Sequence, residues 1–317
     1  QASLVLQIDM TAVPNNIRFV AAPDGARLRI GHWRTDSGEA RGCVVLVHGR
    51  TEFLEKYDEV VGELCGRGFD VWSMDWRGQG LSQRLLGNPH KGHIERFETY
   101  IDDLAWFMQS VIVPAQDSRG PTVLLAHSMG GHIALRGLLE GRIAADRAVL
   151  SAPMINLPLS RSGRAFTRSL ARVAVRLGNS ARYAPRMNDY RPDRVRFAGN
   201  TLTADKARFE RTHAALAENP ALALGGVTYG WLDAALRSID RLQSAAAAAN
   251  RTTPILLCSA LEDRIVSVPA QAEICHRLAG CTYMPIAGAR HEILMEIDDV
   301  RTAFWAAFDA FVSEPKN

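Results

Sequence analysis

The sequence lacks any apolar run close to the roughly 20 residues that a membrane-spanning helix needs. Its first nine residues have neither the charged start nor the long apolar stretch of a secretory signal peptide. Neither sign of charge is in large excess, because the formal net charge is only +3 over 317 residues. These absences argue against a transmembrane protein and against a chain whose whole surface binds nucleic acid. They favour a cytoplasmic protein, for which any membrane contact would be peripheral.

Cysteine is sparse, and the common metal and nucleotide motifs are missing. No C-x-x-C pair occurs and the cysteines are odd in number, which favours reduced, buried thiols. The cysteines are Cys43, Cys65, Cys258, Cys275 and Cys281. His90 and His93 form a bare i, i+3 pair without a carboxylate or cysteine partner, and no H-E-x-x-H, P-loop or G-x-G-x-x-G motif is found. The sequence therefore predicts neither a metal ion nor a cofactor.

What is present is an ordinary globular composition with an alternating pattern of elements. Apolar residues make up 47% and charged residues 22%, and 317 residues can bury one large core. Short apolar runs alternate with helical periodicity near both ends of the chain, which predicts a mostly parallel, doubly wound α/β sheet. The predicted strands are 17–20, 27–33, 43–47, 69–74, 123–125, 147–152, 254–259 and 282–286. The first two are expected to form an antiparallel edge, and helices are predicted over 54–66, 99–113, 269–279 and 292–312.

The alternation stops between about residues 155 and 250, where the pattern is helical and poor in strands. This predicts an α/β-hydrolase-like core of residues 1–154 and 251–317 with an inserted helical cap of residues 155–250. Residues 157–200 carry ten arginines against only two aspartates, so this segment has a formal charge of +8 and the rest of the chain −5. The predicted cap therefore differs from the core in charge as well as in pattern.

The first predicted helix of the cap is basic and amphipathic. One side carries Arg164, Arg168, Arg172 and Arg176, and the opposite side carries Phe166, Leu170, Val173 and Leu177. We favour an interpretation in which the apolar side packs on the protein and the arginines face solvent. The alternative is that the basic cap contacts an anionic membrane surface.

The residues around Ser128 combine a buried strand, a tight turn and a helix. An apolar run ends in Ala126-His-Ser128-Met-Gly130, and Gly131 and a helical pattern follow. This arrangement is typical of a nucleophile elbow, G-x-S-x-G, in which a serine hydroxyl is exposed at the carboxyl edge of a sheet. Alanine replaces the first glycine, which adds one methyl group and is a mild departure.

A serine nucleophile needs a base and an orienting carboxylate, which follow it in the chain order serine, acid, histidine in this kind of sheet. Asp263 lies directly after the strand that follows the cap, with Glu262 as the fallback. His291 lies directly after the last predicted strand. The oxyanion needs two N–H donors, and the best placed are those of Met129 and Arg50. His48, which precedes Gly49 and Arg50, is interpreted as a structural residue.

These sequence blocks resemble the lysophospholipase and monoacylglycerol lipase branch of the α/β-hydrolases, with a serine aminopeptidase S33-type domain. The matching blocks are Val47-His-Gly-Arg-Thr-Glu52, Asp75-Trp-Arg-Gly-Gln-Gly-Leu-Ser82, Lys91-Gly-His-Ile-Glu-Arg-Phe97, Tyr100-Ile-Asp-Asp-Leu104, Ala126–Gly131, Leu261–Val266 and Gly288–Ile293. The resemblance covers most of the core but not the cap. It implies a triad of Ser128, Asp263 and His291 with Arg50 and Met129 as oxyanion donors. The Arg50 side chain, where these lipases commonly have a smaller residue, would either favour an anionic head group or lie solvated at the rim.

The predicted function is that of a serine hydrolase of carboxylic esters (EC 3.1.1) that forms an acyl-enzyme, with lysophospholipid or monoacylglycerol as substrate. Candidates for lining the acyl pocket are Phe166, Leu170, Tyr229 and Trp231. The alternative role for each of them is to pack the cap onto the core. An aminopeptidase or amidase of the proline-peptidase type is the alternative, because triads do not distinguish esters from amides. A small-molecule-binding homologue with weak activity is a third interpretation. Dehalogenases and epoxide hydrolases are disfavoured because they carry aspartate where Ser128 stands.

Overall fold

The computed structural model describes residues 17–35, 38–115, 120–249 and 253–314. The expectation about a signal peptide concerns residues outside these ranges. Within them, eight strands form one sheet in the order β1-β2-β4-β3-β5-β6-β7-β8. The strands are β1 Arg18–Ala21, β2 Arg27–Trp33, β3 Gly42–Val47, β4 Phe69–Met74, β5 Thr122–His127, β6 Arg147–Ser151, β7 Ile255–Ala260 and β8 Cys281–Ile286. The pairs β1–β2 and β2–β4 are antiparallel, and all other neighbouring pairs are parallel.

Helices connect the strands and cover both faces of the sheet. They are α1 Asp58–Gly66, α2 Glu98–Trp106, α3 Val113–Ala115, α4 Ser128–Leu139, α5 Arg161–Arg176, α6 Lys206–Glu218, α7 Tyr229–Ala248, α8 Val268–Arg277 and α9 Asp298–Ser313. A π-helical stretch, Phe107–Ile112, joins α2 to α3. Helices α2, α4, α7 and α8 contribute to the apolar core on one face, and α1 and α9 to the core on the other. No helix in the described ranges has the length and apolar character needed to cross a membrane.

The predicted fold class, an α/β-hydrolase sheet with an antiparallel edge, is confirmed by this topology. The buried strands have continuous apolar faces because helices cover both sides of a parallel sheet. The last helix differs from the prediction in its start, since Ile293–Met295 form a separate 3₁₀ turn and α9 begins at Asp298. The carboxyl ends of the parallel strands β3, β5, β6, β7 and β8 lie along one edge of the sheet.

The segment between β6 and β7 contains α5, α6, α7 and two short 3₁₀ turns, with only isolated bridges in its described residues. We keep the division into a core of 1–154 and 251–317 and a cap of 155–250 as a proposal. Helix α7 adds a detail, because Trp231, Ala235 and Leu242 are buried in the same apolar cluster as the sheet residues. The cap therefore rests on α7, and α5 packs on α7 in turn.

The interpretation favoured from the sequence holds for only half of the arginine side of helix α5: Arg172 and Arg176 face solvent, but the apolar side is largely exposed and does not pack on the protein as expected. Arg164 and Arg168 point toward α7 and pair with Asp240 at 2.6 and 2.7 Å. Phe166 and Leu177 face outward and are 70% and 72% exposed. The reason is that Asp240 on α7 forms ion pairs with Arg164 and Arg168, so this side of α5 packs on α7 through polar contacts. Ser160 caps the helix by accepting the N–H of Gly163 at 3.1 Å.

The expectation that all five cysteines are reduced is also wrong for two of them. Cys275 and Cys281 form a disulfide with their Cα atoms 5.3 Å apart, inside the range that disulfide geometry requires. A short turn joins the end of α8 to the start of β8, and this connection brings the two side chains together. Cys43 and Cys258 are free and buried, and Cys65 is half-buried.

Candidate active site

Ser128 lies at the turn between β5 and α4. Its φ is +51°, in the left-handed region that a non-glycine residue adopts only where the surroundings hold it. The two following glycines allow this turn, because a Cβ at Gly130 would lie 2.5 Å from the His48 carbonyl oxygen and one at Gly131 2.8 Å from Pro153 Cβ. The elbow therefore needs glycine after the serine for close approach, and it tolerates Ala126, which is fully buried in the strand.

The structure brings Ser128, His291 and Asp263 together in one chain of hydrogen bonds. The His291 Nε2 atom is 2.8 Å from Ser128 Oγ, and its Nδ1 atom is 2.6 Å from Asp263 Oδ2. Because a carboxylate can only accept, Nδ1–H donates to Asp263 and Nε2 is left to accept the serine proton. The three residues follow β5, β7 and β8, whose carboxyl ends lie on one edge of the sheet.

Asp263 is held as a carboxylate in spite of its burial. Its side chain is fully buried, which raises the pKa of the carboxyl group. The hydrogen bond from His291 and those from the N–H groups of Ile265 and Val266, at 2.7 and 3.1 Å, outweigh burial, so the net shift of the pKa is downward. An ionised Asp263 fixes the tautomer of His291 and stabilises its protonated form. Glu262, the alternative acid, lies exposed.

The two expected oxyanion donors lie beside the serine. Met129 is the second residue of α4, so its N–H has no acceptor within the helix. Arg50 follows Gly49, where a Cβ would come within 3.1 Å of Ser128 Cβ, and the Arg50 N–H donates no hydrogen bond within the described residues. The N–H of Thr51 donates to Gln79 Oε1 at 2.8 Å, and Gln79 Nε2 lies 3.7 Å from the Met129 sulfur. Gln79 therefore links the two donor segments.

A buried cluster of charged residues behind the donor loop was not predicted from the sequence. Lys56 Nζ is 2.6 Å from carboxylate oxygens of both Glu52 and Glu292. Glu52 also accepts hydrogen bonds from the Gly49 N–H and, at 2.9 Å, from the Tyr57 hydroxyl. The cluster Glu52–Lys56–Glu292 joins the loop that carries Arg50 to the loop that carries His291. The i, i+4 spacing of Glu52 and Lys56 was the only signal in the sequence.

Opposing influences set the charges in this cluster. Burial raises the pKa of Glu52, but Lys56 and the neighbouring histidines outweigh it and the net shift is downward. Burial lowers the pKa of Lys56, but the two carboxylates outweigh it and raise the value. For Glu292 burial prevails and the pKa is raised. The Glu52–Lys56 ion pair is therefore the stable charged unit, and Glu292 is the more readily protonated carboxyl group.

The other histidines near the serine have structural surroundings. Burial lowers the pKa of His127 to about 4, and its Nδ1 is 3.1 Å from the Ser151 carbonyl oxygen. His48 Nδ1 lies 2.8 Å from the Gly49 carbonyl oxygen, and the Trp76 indole donates to the His48 carbonyl at 2.7 Å. These contacts agree with a bracing role for His48. Within the described residues no cluster of metal-binding side chains is found.

The four candidate pocket residues are not brought together. Phe166 lies on the outer surface, and Leu170 and Tyr229 are half-buried. Trp231 is buried against the Phe97 ring, with ring centroids 5.5 Å apart, and faces the Arg50 guanidinium. A cavity of about 120 Å³ instead lies between the donor loop, the base loop and α6. Its lining residues are Thr51, Lys56, Tyr190, Leu202, Phe209, Thr212, His213, Leu216, Leu224 and Glu292.

A larger cavity of about 350 Å³ lies on the other side of Lys56, and neither cavity has Ser128, His291 or Asp263 in its lining. Charged side chains such as Glu59 and Arg208 surround it. The smaller cavity is therefore the better candidate for the acyl pocket, because Thr51 and Glu292 adjoin Arg50 and His291. Its cap-side wall comes from α6 and the segments around it, which the sequence pattern did not single out.

The sheet, the elbow and the serine–histidine–carboxylate arrangement define an α/β-hydrolase. The family described as serine aminopeptidase S33 matches residues 38–298, and the chain belongs to this family. It is 36% identical to lysophospholipase L2 of Escherichia coli over 282 residues, which cover 84% of this chain and 79% of that one. It is 31% identical to a probable lysophospholipase L2 of Haemophilus influenzae over 284 residues, 90% and 88% of the two chains.

Solved structures show the same fold at lower sequence identity. A soluble variant of monoglyceride lipase from Saccharomyces cerevisiae, in complex with a substrate analog, aligns with a TM-score of 0.78 at 19% identity and covers 98% of both chains. The monoacylglycerol lipase of Paleococcus ferrophilus aligns with a TM-score of 0.68 at 23% identity, covering 90% of this chain and 98% of that one. At these identities the likeness establishes the fold, and the predicted branch is confirmed by the family match and the sequence relatives.

Proposed function

We propose that this protein is a serine hydrolase that cleaves the carboxylic ester of single-chain lipids, lysophospholipid or monoacylglycerol, through an acyl-enzyme. The observation that carries the proposal is the hydrogen-bonded chain Ser128–His291–Asp263 at the carboxyl edge of the sheet. The names of the sequence relatives, lysophospholipase L2 at 36% and 31% identity, support a lipid ester as substrate. We place the reaction among the carboxylic-ester hydrolases, EC 3.1.1.

In the proposed mechanism His291 Nε2 takes the Ser128 proton as Oγ attacks the ester carbonyl carbon. The N–H groups of Arg50 and Met129 stabilise the tetrahedral oxyanion. Collapse of this intermediate breaks the bond to the glycerol oxygen, which receives the proton from His291. A water molecule, deprotonated by His291, then attacks the acyl-enzyme and releases the fatty acid, and the proton returns to Ser128. Asp263 stabilises the positive charge on His291 in both halves of the reaction.

A substrate panel tests the proposal against the aminopeptidase alternative. We expect the purified protein to hydrolyse lauroyl lysophosphatidylcholine and monolauroylglycerol with a much higher kcat/KM than proline p-nitroanilide. The reason is that the cavity beside Thr51 and Glu292 is lined mainly by aliphatic, aromatic and neutral polar side chains. Free fatty acid and p-nitroaniline are measured under the same conditions. A higher kcat/KM for the amide would reject the lipid-ester proposal. One stoichiometric burst of product without further turnover would favour the small-molecule-binding homologue with weak activity.

We further propose that the outer face of α5 contacts a lipid surface. Phe166 and Leu177 are exposed on this face together with Val173, which is 52% exposed. Arg161, Arg172 and Arg176 are exposed beside them. Apolar side chains flanked by arginines suit the boundary between acyl chains and anionic head groups. The inner arginines, which pair with Asp240, are unavailable for this role.

Replacing both Phe166 and Leu177 with serine is expected to weaken binding to phosphatidylglycerol-containing vesicles by at least about tenfold. Burial of one large apolar side chain contributes about 1.5–3 kcal/mol, and tenfold corresponds to about 1.4 kcal/mol. Binding is measured by vesicle flotation, and hydrolysis of vesicle-borne substrate is compared with that of a water-soluble ester. Val113→Ser, an exposed apolar position on the core, is the matched control. Equal binding by the double variant and the control would refute the contact.

A further inference from the structure

The Arg50 side chain lies where the core meets the cap. Arg50 follows Gly49, which lies against Ser128. The guanidinium therefore belongs to the residue whose N–H we propose as an oxyanion donor. The guanidinium Nη2 atom donates to the carbonyl oxygen of Gly225 in the cap. Its Cζ atom lies 5.6 Å from the centre of the Trp231 ring. The side chain therefore extends from the reacting centre toward the junction of the two parts.

Arg50 is half-buried and has no opposite charge beside it among the described residues. Nε is buried and has no hydrogen-bond partner, and no carboxylate pairs with Arg50 in the described part of the chain. Burial lowers the pKa of Arg50 to about 10. The five most deeply buried arginines of the described ranges, by contrast, each pair with a carboxylate: Arg29, Arg77, Arg136, Arg147 and Arg301. Arg84, which is half-buried like Arg50, instead donates to backbone carbonyl oxygens at both of its terminal nitrogens.

The backbone around the guanidinium is shaped to leave it room. A Cβ at Gly92 would lie 2.8 Å from Arg50 Nη2 and 3.3 Å from Nε, so any larger residue there would displace the group. Gly92 is held in place by a hydrogen bond from its N–H to the carbonyl oxygen of Gly226, at 2.9 Å. Glycine residues from both the core and the cap therefore fix the position of the guanidinium.

A buried cation that lacks a counter-charge is costly unless a ligand supplies one. The forked N–H donors of arginine match the oxygens of a phosphate. In a lysophospholipid the phosphate is joined through the glycerol to the ester that Ser128 would attack, whereas a monoacylglycerol has only a neutral hydroxyl there. We propose that Arg50 binds the head-group phosphate of the substrate, so that the enzyme prefers lysophospholipid to monoacylglycerol. This inference rests on the proposed function.

The test compares two water-soluble substrates that differ only in the phosphate, hexanoylglycerol phosphate and hexanoylglycerol. Both are used below their micellar concentrations, so that docking to a lipid surface does not contribute. We expect Arg50→Met to lower the ratio of their kcat/KM values, phosphate ester to neutral ester, by at least about tenfold, because charge-assisted hydrogen bonds are lost. The ratio cancels any damage to the oxyanion loop that affects both substrates equally. Arg50→Lys is expected to restore part of the ratio.

Arg194→Met, which removes one exposed charge from the cap outside the α5 face, is the matched control and should leave the ratio unchanged. If Arg50→Met does not fold, Gly92→Ala displaces the guanidinium without removing it and should lower the same ratio. Glycerol phosphate should inhibit hydrolysis of hexanoylglycerol by the wild type; stronger inhibition by inorganic phosphate would assign free phosphate as the ligand and overturn the inference. An unchanged ratio in a folded, active Arg50→Met would also overturn it and leave the ester hydrolase intact. A wild type inactive on both esters would reject the proposed function itself.

Discussion

Ser128→Ala is expected to lower kcat/KM for ester hydrolysis by about 10⁴-fold or more, because no acyl-enzyme can form. His291 would keep its hydrogen bond to Asp263, and the N–H donors of Arg50 and Met129 would remain. The variant should therefore bind substrate and fold normally while losing the chemical step. Steady-state hydrolysis of a soluble ester measures the loss. Intact mass after exposure to an alkyl phosphonate probe measures covalent capture, which we expect at Ser128 in the wild type only.

Ser151 offers a control of the same residue type. It is fully buried at the carboxyl end of β6, the strand next to β5, and its hydroxyl has no hydrogen-bond partner in the described residues. Ser151→Ala should keep wild-type activity and phosphonate capture. A Ser128→Ala enzyme that retained about a tenth of wild-type kcat/KM would show that another group is the nucleophile.

Glu52→Ala is expected to lower the free energy of unfolding by about 2–6 kcal/mol, since two buried donors each lose their acceptor at about 1–3 kcal/mol. These donors are the Gly49 N–H and the Tyr57 hydroxyl. Lys56 keeps Glu292 as its partner, so the buried ammonium is not left without a counter-charge. Because Gly49 precedes Arg50, we also expect kcat to fall as the donor loop loses its fixed position. Urea unfolding and steady-state kinetics measure the two effects.

Two further variants separate charge from hydrogen bonding. Glu52→Gln keeps an acceptor for the Gly49 N–H but removes the charge, so it should lose less kcat than Glu52→Ala. Asp58→Ala removes an exposed carboxylate nearby and should change stability by less than about 0.5 kcal/mol. An unchanged unfolding midpoint for Glu52→Ala would contradict a structural role for the cluster.

The sheet and the meeting of Ser128, Asp263 and His291 followed from the sequence because both depend on local patterns in a fixed order. Apolar runs define buried strands, and parallel strands place their carboxyl ends at one edge, so residues just after β5, β7 and β8 must lie together. The Glu52–Lys56–Glu292 cluster could not be predicted from local patterns. One of its carboxylates is 240 positions away in the chain, and no periodicity links it to the other two residues.

The orientation of α5 could not be predicted for a related reason. Helical periodicity identifies two faces, but it does not say which face a neighbour will cover. Asp240 decides this by pairing with Arg164 from a position 76 residues further along the chain. The disulfide depends likewise on the turn between α8 and β8, which brings Cys275 beside Cys281. Pocket residues such as Leu216 depend on how α6 packs over the donor and base loops.

The chain order of the reacting groups has a consequence for the timing of activity during protein synthesis. Ser128 precedes its partner His291 by 163 residues. At a synthesis rate of about 5–20 residues per second, about 8 to 33 s pass between the two residues at the ribosome. During this interval the nascent chain carries the serine but neither a complete sheet nor a base. If the proposed mechanism holds, a nascent chain that has not yet reached His291 should therefore not hydrolyse the lipids around it.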